Sequence, residues 1–296
     1  FSDTNTITLD SETVDLGGSS LEISQTLLTA TNEINLGVNK VAINVDSNIT
    51  ADYVQINQSH NTAGSSINAA SNSIKLNGGN FDIANVQIMQ NSLSSSSINL
   101  QNNNISSSEV DAINAAIIGI SQTVINGGSV SLGTNGIYLS VNEISAGAIL
   151  VEQSHNSSTG ELNSQNNTIH VAAQTANVTG DIAISQTSMD AGSTTFGSNS
   201  ISLSGGNFSI DALQTSQIAL TSGSDLDLGS NAIHATLTEI NAQNIDITQS
   251  NISASGLVQG SSNTIVIAAE SVNVDEDIAI VQSKFEGGSI NFGDNN

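Results

Sequence analysis

The chain contains no proline, no cysteine, no tryptophan and no arginine, and its only cationic side chains at neutral pH are Lys40, Lys75 and Lys284. Without proline every residue can donate a backbone N–H, which suits uninterrupted sheet ladders. Without cysteine there is neither a disulfide nor a thiolate metal site. Aromatics are 3% of the chain while hydrophobic residues are 37%, so a core has to be built from Ile, Val, Leu and Ala. Against three lysines stand 27 acidic residues, for a net charge of −24. Nucleic acid is excluded as a partner, because its binding needs a basic footprint to displace counterions. Anionic membrane surfaces are disfavoured for the same reason. No apolar run approaches the length of a membrane span, so no membrane insertion is expected.

What the chain does have is a beat. Gln25, Gln58, Gln90, Gln122, Gln153, Gln186, Gln217, Gln249 and Gln282 recur at intervals of 31 to 33 residues. Asn5, Asn39, Asn72, Asn103, Asn135, Asn167, Asn199, Asn231, Asn263 and Asn295 keep the same time. A fixed period of this length marks a solenoid, whose units are stable only when stacked on one another. No break in period divides the 296 residues, so they read as one domain of nine tandem units.

Within a unit the aliphatic residues come in pairs spaced by two. In the first these are Ile7 and Leu9, Val14 and Leu16, Leu21 and Ile23, and Ile34 and Leu36; in the last they are Ile265 and Ile267, Val272 and Val274, Ile278 and Ile280, and Ile290 and Phe292. That spacing puts both side chains on one face of a strand, and helical spacing is sustained nowhere. Asn, Ser, Gly and Asp separate the pairs and turn the chain. The fold predicted is all-β: a parallel β-solenoid, or β-helix, of about nine coils, with about 32 residues and four short strands per coil. At the usual strand spacing such a rod is about 43 Å long. A β-propeller, whose blades also carry four strands, needs longer repeats and hairpin turns.

Each Gln continues the inward parity of the aliphatic pair before it, as Gln25 follows Leu21 and Ile23. A stack of identical amides, each with donors and acceptors, can satisfy itself along the axis. The Gln and Asn columns are therefore read as structural ladders, with the Asn column at a coil corner. His60 and His155 lie three coils apart, about 14 Å at the strand spacing, too far to share a metal. These two, with His170 and His234, are read as single exposed histidines. Thr6 and Thr8 form a Thr-x-Thr pair that does not recur in register. Gly17-Gly18, Gly78-Gly79 and Gly205-Gly206 lack the rest of a calcium-binding repeat. Units that never stray outside about 31 to 34 residues leave no insertion to wall a catalytic cleft, so no catalytic residues and no enzymatic activity are expected.

The ends carry the remaining signal. The chain starts just before the Asn5 corner and stops at the Asn295 corner, and no helical cap is legible at either end. Uncapped coils expose unpaired backbone groups and an apolar cross-section, and two such ends can mate head to tail. Eleven of the 27 acids lie in the first and last units, among them Asp10, Glu12, Asp15, Glu22, Asp275, Glu276 and Asp277. They either guard the ends by repulsion or form junction sites bridged by Ca²⁺, the one cofactor considered.

The Asn ladder, the aliphatic pairs and the Ser/Thr/Asn/Gly turns resemble, in style, the secreted β-helical adhesins of the filamentous-haemagglutinin type. The paired Gln and Asn ladders are similar to those of curlin fibre subunits. Both families have shorter repeats. The resemblance implies an extracellular or cell-surface structural protein, a filament subunit whose partner is itself, serving surface attachment or a biofilm matrix. The alternative is a monomeric adhesin stalk that binds a glycan or protein on one flank.

Overall fold

A computed structural model describes residues 4–296. The chain winds as an all-β parallel solenoid of about nine coils with about 32 residues per coil, and no helix occurs among the described residues. The 19 strands of the described residues belong to one sheet, and every pairing among them is parallel. Each residue pairs with its equivalent one coil on: Asn5 with Asn39, Asn39 with Asn72, Gln25 with Gln58 and Gln58 with Gln90. Identical residues recur at intervals of 31 to 34 because the pairing holds them in columns, and irregular corners absorb the difference. The register shifts between Ser11 and Thr13, between Val45 and Asn48, and between Val178 and Asp181, each time at a bend.

The run Asn39–Ala63 shows how a coil is made. Val41, Ile43 and Val45 face inward; Asp46, Ser47 and Asn48 then turn the chain. Ile49 and Ala51 face inward, Asp52 and Tyr53 make the next bend, and Val54, Ile56, Gln58 and His60 form a long inward row. Strict alternation holds along each side and resets where consecutive residues face outward, which is how a period-two pattern closes into a polygon. Pairing to the neighbouring coils continues round the bends. Three of the four segments expected per coil thus join into one hydrogen-bonded run, and only the fourth, Ser66–Ala69, stands apart.

Two glycines explain the sharpest corners. Gly78 and Gly205 have φ of 96° and 131°, and a Cβ at either would run into the backbone carbonyl of the coil before, that of Val45 or Ala173. Only glycine tolerates both conditions. Each opens a Gly-Gly-Asn-Phe segment whose Phe81 or Phe208 is the largest side chain buried in its coil.

The interior is divided in two. The wide compartment holds Val41, Ile43, Val45, Ile49, Ala51, Val54 and Ile56 and their equivalents along the axis. The narrow one holds Ile34, Leu36, Ala63, Ile67 and Ala69 and their equivalents. Between them stand the Gln and Asn columns, buried from Gln58 to Gln249 and from Asn39 to Asn263. Burying one Ile contributes about 1.5–3 kcal/mol, so the continuous aliphatic columns hold the stack together without large aromatics. No helix among the described residues is long and apolar enough to cross a membrane.

Candidate functional site

The feature built with most care is the partition itself. Gln58 Nε2 donates to Gln25 Oε1 at 2.8 Å and to the Gly37 carbonyl at 2.9 Å. One coil on, Gln90 Nε2 donates to Gln58 Oε1 at 2.8 Å and to the Ala70 carbonyl at 2.9 Å. Gln122, Gln153, Gln186, Gln217, Gln249 and Gln282 repeat both bonds. The second donor of each Gln thus satisfies a corner carbonyl that the turn leaves without a sheet partner.

The Asn column runs the other way. Asn5 Nδ2 donates to Asn39 Oδ1 at 2.9 Å. Asn39 Nδ2 donates to Asn72 Oδ1 at 2.9 Å and to Gln25 Oε1 at 3.0 Å. Asn72, Asn103, Asn135, Asn167, Asn231 and Asn263 repeat this pair, and Asn199 donates to Asn231. From Gln58 to Gln282 each Gln therefore donates to the Gln of the coil before it, and from Asn5 to Asn263 each Asn donates to the Asn of the coil after it. The two rows of amide dipoles oppose one another, where a single ladder would add them up. Most Gln oxygens accept twice, from the next Gln and from the neighbouring Asn, which uses both lone pairs. Such a network is stable in a dry interior because its members are satisfied.

At the two ends the ladders stop with groups of opposite kind. The first coil presents Gln25 Nε2 and Asn5 Oδ1, and the last presents Gln282 Oε1 and Asn295 Nδ2; none of these has a partner among the described residues. The aliphatic rows are also uncovered there: Ile7, Leu9, Val14, Leu16 and Leu21 are only half-buried, and Val272, Ile278 and Ile290 are exposed.

The acidic residues singled out from the sequence all lie exposed on these end coils, Asp10, Glu12, Asp15 and Glu22 at one end and Asp275, Glu276 and Asp277 at the other. The fold does not bring the two sets together. Asp15 Oδ1 accepts the Gly17 N–H at 2.8 Å, tightening a turn. Among the described residues no group of three or more His, Asp or Glu is placed to hold a metal ion. Asp246 titrates above the usual 3.8, because of partial burial first and then of Asp277 and Glu276 beside it. Partial burial, with Asp211 nearby, does the same to Asp181.

The histidines divide, and half of the expectation is overturned. His170 and His234 point outward. His60 and His155 do not: they are 1% and 0% exposed, inside the narrow compartment. Each lies two residues after its Gln, on the same inward face. The column they share contains Leu27, Ser92, Val124, Ser188, Ala219 and Asn251. Parity alone could have placed both histidines inside.

The flanks carry shallow grooves. One of about 350 Å³ runs across successive coils between Asn177, Thr179, Ser209, Asp211, Asn241 and Gln243, a polar surface without basic residues. Another, of about 590 Å³, follows the corner at Leu36, Gly37, Val38, Ala69, Ala70 and Gln101.

Comparison with protein-family models, with curated proteins and with solved structures found no match. The class is defined by the fold: a tandem-repeat parallel β-solenoid with a paired Gln and Asn ladder.

Proposed function

We propose that the chain is an extracellular structural protein, the subunit of a filament in which solenoids stack head to tail, serving surface attachment or a biofilm matrix. The observation that carries this reading is the polarity of the ladders, which repeats at every coil boundary: each coil offers the next a Gln acceptor and an Asn donor. One face offers Gln donors and an Asn acceptor, the other a Gln acceptor and an Asn donor. A second copy in the same orientation meets both needs, with its Gln25 over Gln282. A copy in the opposite orientation breaks the parallel register in which Gln stacks on Gln and Asn on Asn. Heterologous contacts of this kind propagate into open fibres. Asn295 already lies over Asn263, where the incoming Asn5 would sit, so one of these two segments yields as copies meet. The role proposed is structural rather than catalytic.

The acidic end coils oppose contact at low ionic strength, and Ca²⁺ shared between facing carboxylates relieves the repulsion. Electron microscopy with and without millimolar Ca²⁺ tests the reading. Filaments whose axial repeat is near the length of the rod support it, and filaments seen only with Ca²⁺ assign the acidic residues to the junction. Single short rods in both conditions overturn it.

The polar groove along Asn177, Ser209 and Asn241 favours one other reading, a monomeric stalk that holds a neutral glycan on its flank. Rods that stay single while a glycan shifts amide resonances along that groove favour the stalk.

A further inference from the structure

His60 has no place in the ladders or in the end contacts, yet it is buried among aliphatic and small residues. Its Nδ1 lies 2.8 Å from the Asn91 carbonyl. A carbonyl only accepts, so Nδ1 carries the proton and Nε2 holds the lone pair. Nε2 is buried and has no hydrogen-bond partner among the described residues; nor has the Oγ of Ser92, its neighbour on the next coil. A second proton, on Nε2, would therefore create a buried cation with no charged partner and only the neutral Ser92 hydroxyl on the next coil beside it.

Among the described residues no carboxylate is placed to compensate. On the surrounding elements Glu22 lies on Ser20–Ala30, Glu33 opens Glu33–Leu36, and Lys75 and Asp82 belong to Asn72–Leu100. Lys40, Asp46, Asp52 and Tyr53 share the run Asn39–Ala63 with His60, and Ser66–Ala69 carries no titratable group. All eight of these side chains are exposed.

We propose that the narrow compartment is an acid-sensitive seam, in which protonation of His60 separates the wall carrying Gln58 and His60 from the wall at Ser66–Ala69. The wide compartment has no buried histidine among its described residues and does not share this response. Burial holds His60 below its usual 6.5, against the smaller upward pull of the Asn91 carbonyl. The stability of the neutral form is then fully present above pH 6.5. It is lost as the pH falls through 6.5 towards the folded-state value, where the opened chain takes the proton and the closed one does not.

Amide hydrogen exchange on the whole chain, at pH 7 and pH 5, tests this in the wild type and in His60→Leu. Leucine suits the slot, since Leu27 and Val124 occupy it in other coils. In the wild type the opening equilibrium of residues 58–69 is expected to rise by up to about tenfold per pH unit below 6.5. In His60→Leu that rise disappears, whereas His170→Gln behaves as the wild type. Equal pH dependence in the wild type and His60→Leu overturns the proposal. So does a His60 imidazole that titrates at or above 6.5 in the folded chain, a measurement on the wild type that stands even if the variant fails to fold.

Discussion

Gln122 shows what a rung is worth. Its Nε2 serves Gln90 Oε1 and the Gln101 carbonyl, and its Oε1 receives Gln153 and Asn135. Gln122→Leu keeps the volume but strands two buried donors and one corner carbonyl. At about 1–3 kcal/mol for each orphaned group the loss is about 3 kcal/mol or more, to be read as a lowered midpoint in urea denaturation. The same change at Gln25 costs less, because its donors serve no earlier coil. At this scale the sequence was legible wherever parity was followed: Gln58 stands two residues after Ile56 and faces the same way. His60 was misplaced because it was judged by residue type. The register that sends Gln58 inward sends His60 inward too.

The element of this fold is the coil, and its weak points are the corners. Gly78→Ala forces a Cβ against the Val45 carbonyl at a φ of 96°, so the corner must move and the pairing of Asn77 and Asn80 to the coil before must loosen. A loss of more than about 1 kcal/mol is expected, with exchange protection falling at residues 76–81. Gly17→Ala has open space around its Cβ and meets only the backbone strain, so it is expected to cost less. The four inward segments of each coil were readable from the paired aliphatics. Their joining into runs as long as Asn72–Leu100 was not, because pairing round a bend depends on the neighbouring coil and leaves no mark in the local pattern.

At the scale of the whole molecule two acid responses oppose each other. Asp181, Asp227 and Asp246 are held above the usual carboxylate value of 3.8, chiefly by partial burial. A raised carboxylate binds its proton more readily in the fold, so its charged form costs stability at neutral pH, and that cost fades as the pH falls through the folded-state value. Asp246→Asn is accordingly expected to stabilise the last coils at pH 7 and to change little at pH 3, in paired thermal melts. The His60 seam weakens at higher pH, below 6.5, so stability should dip in mild acid before the carboxylates protonate. Raising the ionic strength should promote end contact even without Ca²⁺, as light scattering can follow, because salt screens the exposed acidic residues of both end coils and the net charge of −24 behind them.

The sequence by itself determined the architecture: a period of about 32 residues, aliphatic pairs spaced by two, and Gln and Asn in fixed columns leave a parallel solenoid as the economical arrangement. It did so because in a solenoid the contacts that matter fall at one constant separation along the chain, where repetition makes them visible. Only the tertiary structure decided that the two amide columns stand together as a partition, that their hydrogen bonds run in opposite directions, and that the interior is two compartments. Those properties depend on which sides of a coil face one another across the axis. The bends set that, and no spacing along the chain records it.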